Sequence, residues 1–528
     1  MLKIIEKNAV CRIVRDGATV FECPVAFDPQ AALHLLRQIN SLKDPQGTPI
    51  YAKYQERGTP LWAMVQEQLF WGYLQPFIKY QPVIGWLASH AEEQVETTIL
   101  GLAIWHQLVT EPTSGTPVRP SLAAKIRHWL EEVFLIVNAG IVGIWSRWSG
   151  ARFLLWSLNC VWGDRWIDFR LKDVYAALWQ ERVPFVEGFP FPGFKIILKR
   201  LAGSRRLAFY APNILRIAPE AYRAAEHGDY DCRPVSAMPT EQVRRLVRRL
   251  EFILANARLH ARLLTRLFRL ARVRRVIGID EHTSFASLIC AARELGIETI
   301  GLQHGVFHKY SIGWTTPAIP HEYTAGYDRI LVWGEFWRKL LVELSSTYHS
   351  GQLMSAGFIR PSTISLKRRS AEPSREVFRI LLPYEFLANP EEIAAFVHAF
   401  HARGFKVLFK VRFDDTLDEQ VRMLPKEKLE LVPELTQELL DSIHVCAGTS
   451  TTMMYEFYYL GIPSWFIETK HDSNIHMVEH GLAAKVTLGM LQAPDFDPWK
   501  LSAAPANPEY IFSAGGIPAN VVNLCQNP

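Results

Sequence analysis

The chain has 528 residues, 49% of them hydrophobic and 21% charged, with 31 Gly and 32 Pro. That balance excludes a wholly disordered, collagen-like or linker-dominated chain, and the length is too great for one core, predicting about three domains. The net charge of +5 suits an anionic ligand or surface but is too small to imply nucleic acid, while 16 Trp and 12% aromatic residues call for large cores or a greasy interface.

Seven cysteines (Cys11, Cys23, Cys160, Cys232, Cys290, Cys446 and Cys525) are scattered without a CxxC pair, which reads as reduced thiols rather than a disulfide framework or zinc site. The first residues, MLKIIEKNAVCRIV, carry charges inside their apolar stretch and lack a signal-peptide core. The most apolar run, Val133 to Trp145, is shorter than the ~20 residues a membrane span needs. A cytoplasmic chain is expected, with peripheral contact at the inner face of the cytoplasmic membrane as an option.

Aromatic residues crowd 61–86, broken by Pro76 and Pro82, and a helix is expected over 90–109. Residues 111–121, EPTSGTPVRPS, read as a linker, and a helical pattern resumes over 122–146. Trp145, Trp148, Arg152 and Trp156 cluster at its end. They suit either a membrane interface or an aromatic cap on a buried helix. Residues 1–150 are thus expected as a mostly helical region with possible membrane or acceptor contact.

From about 152 the rhythm becomes strand–helix. Strands are expected at 153–159, 183–188, 275–280, 297–303, 329–334 and 352–357, with helices at 170–182, 285–296 and 336–344. A long Arg-studded helix over 240–272 reads as a solvated face. A polar, basic stretch at 361–376 reads as an interdomain linker. A second block then sets strands at 378–383, 406–411, 429–432, 443–448 and 463–468 between helices at 390–403, 434–442 and 450–460. Short apolar runs alternating with helices predict parallel sheets covered on both faces. The expected architecture is α/β: two Rossmann-like domains, 151–360 and 375–528, facing a cleft, where ligands bind outside the carboxyl ends of the strands.

Four constellations lie at predicted strand ends. In Val445 to Glu456, VCAGTSTTMMYE, a buried strand ends at Gly448, and Thr449, Ser450, Thr451 and Thr452 lead into a helix. Free N–H groups there either bind phosphate, with Glu456 returning to ribose hydroxyls, or are ordinarily capped by hydroxyls. Gln303-His304-Gly305 ends another strand, with Gly305 allowing a tight turn beside a ligand and His304 suited to act as a base or phosphate donor. Asp280-Glu281-His282 ends the preceding one; Glu281 either takes a proton from an acceptor hydroxyl or sits exposed beside a helix cap. Lys410 and Arg412 end the KVLFKV strand and face either a diphosphate or Asp414 and Asp415. His471 and His476 have no metal-specifying spacing, so no metal is expected.

Taken together, 276–305, VIGIDEHTSFASLICAARELGIETIGLQHG, resembles bacterial capsule and O-antigen glycosyltransferases of the GT-B type. Residues 435–467 are similar to the donor-binding half of that fold: Gly448 to Thr452, then Glu456, then Gly461 with Pro463. The resemblance implies an acceptor in the first α/β domain, touched by Asp280, His282, Gln303 and Gly305, and a nucleotide-activated sugar in the second. It places Glu281 and His304 as catalytic residues, Gly448 to Thr451 at the phosphate, and Glu456 at the ribose. It implies no cofactor other than the nucleotide-sugar donor, and a polysaccharide or lipid-linked acceptor as the other partner. Related sialyl- and Kdo-transferase-like enzymes carry a His-Pro pair after the second donor-domain strand, where this chain has Val411-Arg412. The alternatives are a CDP-polyol phosphotransferase on the same fold, a sugar epimerase, or a non-catalytic membrane-docked scaffold.

Overall fold

A computed structural model describes residues 2–7, 10–110, 121–158, 167–204, 206–213, 221–279, 283–361, 366–369, 372–385, 388–411, 424–502 and 505–526. The chain opens on strands β1 (Leu2–Lys7), β2 (Val10–Arg15) and β3 (Ala18–Pro24), an antiparallel meander. Apolar and charged residues alternate along LKIIEK and VCRIVR, so one face enters the core. Asp16 and Gly17 both take positive φ at the second turn, the Asp-Gly pairing that a two-residue hairpin demands. The short hairpin of β4 (Gln55–Glu56) and β5 (Thr59–Pro60) follows, and β6 (Val95–Thr97) joins β1 in parallel. The region expected to be mostly helical therefore begins on a four-stranded mixed sheet.

Seven parallel strands form the first α/β sheet: β7 (Phe153–Trp156), β8 (Val186–Pro190), β9 (Ala208–Ala211), β10 (Arg275–Gly278), β11 (Glu298–Leu302), β12 (Arg329–Val332) and β13 (Leu353–Ser355). Their spatial order is β13-β12-β11-β10-β7-β8-β9. The chain starts in the middle, winds out one way to β9, then returns to the other side of β7. The second sheet repeats this with β14 (Arg379–Pro383), β15 (Lys406–Lys410), β16 (Leu429–Val432), β17 (Val445–Gly448), β18 (Ser464–Ile467) and β19 (Ala484–Val486), ordered β16-β15-β14-β17-β18-β19. Each sheet thus has one point, between β7 and β10 and between β14 and β17, where the winding reverses and a crevice opens at the carboxyl ends. These are the two Rossmann-like domains the strand–helix rhythm predicts.

The helix Leu122–Ser149 packs across the edge strand β9 and the helix Thr240–Ala271. Asn138, in its middle, donates to the carbonyl of Ala208 (2.9 Å) and accepts from the amide of Tyr210 (3.0 Å), pairing the exposed edge of β9 as a further strand would. The Thr240–Ala271 helix, expected as a solvated face, buries a full stripe from Val243 to Ala271 and shows its arginines on the other side.

The two α/β units share an apolar boundary. Trp337 and Phe336 of the first lie 4.5 and 5.7 Å, ring to ring, from Tyr455 of the second. The 361–376 segment is no free linker where it is described, since the amide of Lys367 donates to the Gln437 side chain and Arg369 reaches the carbonyl of Ile443. The last helix, Ile517–Gln526, expected with the second unit, crosses back and packs on the helix Lys172–Gln180 of the first.

At the crossing of the two long helices, a Cβ on Gly143 would collide with the carbonyl oxygen of Leu270, whereas one on Gly140 would meet nothing. Gly143→Ala is therefore expected to destabilise by about 1–3 kcal/mol, the usual cost of overpacking. Gly140→Ala is expected to be neutral or to gain up to about 1 kcal/mol from helix propensity. Urea unfolding of the two variants checks this pair.

Candidate functional site

The crevice at the second reversal is filled from inside. Glu385, just beyond β14, is buried and turns its carboxylate to the loop after β17. It accepts from the amides of Thr449 (2.8 Å) and Ser450 (2.9 Å) and from the Ser450 hydroxyl. Gly448 is what admits it, because a Cβ there would collide with Oε1 of Glu385. The N–H groups that the sequence offers to a phosphate thus already hold an anion of the chain's own. Burial drives the Glu385 carboxyl up to about 7 against the pull of those donors.

Thr449 is itself fully engaged: its hydroxyl bonds the carbonyl of His471 and the Thr469 hydroxyl, and its carbonyl accepts from the amide of Asn474 at 2.9 Å. The Thr451 carbonyl accepts from the Asn474 side chain (2.9 Å), and its hydroxyl accepts from the amide of Met453. The helix that follows, Met453–Tyr459, is short. Lys410 is largely buried at the end of β15, where its ammonium donates to the carbonyls of Val411 (2.6 Å) and Pro433 (2.9 Å) and ties the outer strands together. Burial lowers its pKa, opposed by Glu434. Arg412 lies outside the described residues.

Gln303 is a clamp between strands of the first sheet. Its amide group donates to the carbonyl of Gly305 and accepts from the amide of Trp333 (2.8 Å), while the Trp333 indole donates to the Gln303 carbonyl. His304 is thereby set, half-buried, at the carboxyl end of β11. Gly305 has ordinary negative φ and open space where a Cβ would point, so the tight turn expected there does not need glycine. Asp280, Glu281 and His282, which follow β10 in sequence, lie outside the described residues.

The two units meet at the loop after Gly305. Asp472 of the second accepts from Lys309 and Tyr310 of the first (2.6 Å each) and from Gln30 of the N-terminal region (3.2 Å). His308 and His471 lie beside this contact, both buried and lowered in pKa to about 3 and about 4. Desolvation is the main cause for each, with neighbouring imidazoles and Lys309 adding repulsion at His308. Both are neutral near pH 7. His304 thus stands on the loop that reaches His471 and Asp472, and that segment in turn bonds the Thr449 turn.

A second polar group spans the same boundary. Ser157, following β7, donates to Asp168 (2.5 Å), and Arg170 pairs with Asp168 at 2.7 Å. Burial would raise the Asp168 carboxyl, but Arg170 outweighs it and holds the pKa low. Arg360 stacks over Phe169 at 5.2 Å and faces Glu456 and Asp173, and its burial lowers the guanidinium pKa against their attraction. Glu456 is raised by burial, with Arg360 opposing. Glu456 and Arg360 thus attract one another across the boundary between the two units. Residue-by-residue reading missed Glu385, Asp168 and Arg360. Each sits just past a strand or in a loop, and Glu385, two residues beyond FRILLP, carried the clearest signal.

No protein-family model matches the chain, and no curated protein matches it by sequence. Among solved structures it is similar to Acinetobacter baumannii MurG, at 11% identity and TM-score 0.40 over 72% of this chain and 100% of that one. It is also similar to CalG4, the calicheamicin glycosyltransferase, at 14% identity and TM-score 0.41 over 71% and 98%. A third is Anabaena HepE in complex with UDP and glucose, at 10% and 0.37 over 72% and 100%. Likenesses at this level carry no functional inference.

Glu385 gives a pH test with a defined sign. Its folded pKa of about 7 lies above the ordinary 4.5, so the folded state holds the extra proton between those values. Stability from this group is complete below about 4.5 and is lost as pH rises through 7. The stability of the natural chain minus that of Glu385→Gln is expected to shrink across that window in pH-dependent urea unfolding. A difference that stays level across that window, having grown below about 4.5, would mean that the N–H donors keep the carboxylate ionised throughout.

Proposed function

We propose that the chain transfers a sugar from a nucleotide-activated donor to a hydroxyl of a surface-polysaccharide or lipid-linked acceptor, in the crevice between its two α/β units. The observation that carries this reading is the joining of the two strand-end corners. The Gln303–Gly305 corner and the Thr449–Thr451 turn, on different sheets, are connected through Asp472 and His471. Such strand ends are where doubly wound sheets bind ligands. Open space beside Gly305 leaves room for a substrate next to His304.

In this reading His304 or Glu281 removes the acceptor's proton, the acceptor oxygen attacks the anomeric carbon, and the bond to the donor phosphate breaks as the nucleotide leaves with the electron pair. Glu456 orients the ribose and Arg412 meets the phosphate charge without a metal, while Lys410, committed to the carbonyls of Val411 and Pro433, holds the preceding strand end. A phosphate approaching the Thr449 turn meets in Glu385 a carboxyl that is about half neutral near pH 7. Domain closure excludes water.

One observation favours a second reading, a scaffold that keeps the fold without catalysis: the carboxylate of Glu385 already occupies the amides of Thr449 and Ser450. Thermal unfolding with UDP-, CDP- and CMP-linked donors separates the two. One class at 100 times its dissociation constant is expected to add about 2.7 kcal/mol. His304→Ala should keep that stabilisation and lower transfer of labelled sugar by about 10²–10⁴. Absence of stabilisation by every nucleotide would leave the scaffold standing, and stabilisation by a CDP-polyol alone would move the activity to phosphoryl-polyol transfer.

A further inference from the structure

The helix Leu122–Ser149 is apolar on two opposite sides. Its inner side, Leu135, Asn138, Ala139, Val142 and Ser146, is buried against β9 and the Thr240–Ala271 helix. Its outer side presents Ile126, Trp129, Val137, Ile141, Ile144 and Trp148 to solvent, with Ile144 75% and Trp148 86% exposed. At 3.6 residues per turn these fall on one stripe, while Lys125, Arg127, Glu131 and Glu132 fall off it. The stripe continues onto a second helix, Phe194–Gly203: Phe134 packs on Phe194 at 5.5 Å, and Phe194, Leu198 and Leu201 are exposed with Lys195 and Lys199 between them. A contiguous apolar surface of this length is uncommon on a soluble protein and marks a docking face.

By length and composition the first helix is the one candidate for crossing a bilayer among the described residues. Its packing argues for lying flat instead. Asn138 is bonded to both Ala208 and Tyr210, and Gly143 is locked against Leu270, so the inner side is committed to the sheet. Charge identifies what covers the outer side. At its carboxyl end a depression of about 550 Å³ is lined by Arg147, Arg152, Arg272, Arg274 and Arg275. Arg275 pairs with Glu298, but no acidic side chain pairs with the other four among the described residues. Of the tryptophans near this end, Trp148 is out in solvent and Trp156 is core.

We infer that this face rests in the plane of an anionic phospholipid leaflet, the apolar stripe entering the acyl boundary and the arginine depression taking headgroup phosphate. The inference is independent of the donor chemistry, and its failure would leave the proposed reaction untouched.

The test is sedimentation of the full chain with vesicles of phosphatidylcholine alone or mixed with phosphatidylglycerol. The chain is expected to pellet with the mixed vesicles and to be released by salt. The triple substitution Val137→Ser, Ile141→Ser, Ile144→Ser should weaken partitioning by roughly tenfold or more, since two buried methylenes already account for that. Arg147→Glu with Arg274→Glu should erase the preference for the anionic vesicles. Circular dichroism unchanged in both variants keeps the reading about the surface. Wild-type chain left in the supernatant with every vesicle, or a triple variant that pellets like wild type, would overturn it. So would light scattering showing a dimer that the triple substitution dissolves, because the face would then belong to a second copy.

Discussion

The arrangement depends on one carboxylate. Asp472 gathers a lysine and a tyrosine from the first sheet's Gln303–Tyr310 corner and a glutamine from the N-terminal region. Charge-assisted bonds of this kind are stronger than neutral ones and fix geometry. Its backbone neighbours carry the contacts on: His471 bonds Thr449, Asn474 bonds Thr449 and Thr451, and the turn bonds Glu385. A corner on one sheet and a turn on the other are thereby parts of one network.

The electrostatics around that network keep its few charges useful. His308 and His471 are neutral because burial makes the imidazolium costly, so Lys309 and Asp472 hold the boundary with little competing charge. Glu385 is held near the midpoint of its titration, at the place where the second sheet's winding reverses. At the other reversal Asp168 is ionised under Arg170, and Arg360 faces Glu456 across the boundary. Two acid–base groups of opposite tuning therefore stand at the two crevices, a pattern met where proton transfer or anion binding takes place and also in structural ion networks.

Much of the fold was legible because buried parallel strands are short β-branched runs separated by helices. RVIG, ETIGL, RILV, RILLP, KVLFK and VCAG all form where their composition predicts. What was not legible had weaker local signals. The first three strands mix charges into their apolar alternation, and β9 is only AFYA, stabilised by Asn138 from a distant helix. The site shows the same division. Thr449, His304 and Glu456 could be singled out because motif and strand end coincide. Glu385 was not, since apart from its place just past a strand nothing in sequence marks a carboxylate buried by partners 64 residues away. The glycines divide by cause as well: Gly448 is required by Glu385, whereas Gly305 is required by nothing in its own backbone.

The central claim is that one nucleotide-activated donor is bound where the two units meet, so that both corners respond together. Amide hydrogen exchange on the full chain, with and without the donor that raises its melting temperature most, reads this directly. The account predicts slowed exchange in 445–452 and in 303–312 at once, with the Asp472 loop between them. Protection confined to one unit, or to surfaces remote from both corners, would contradict it.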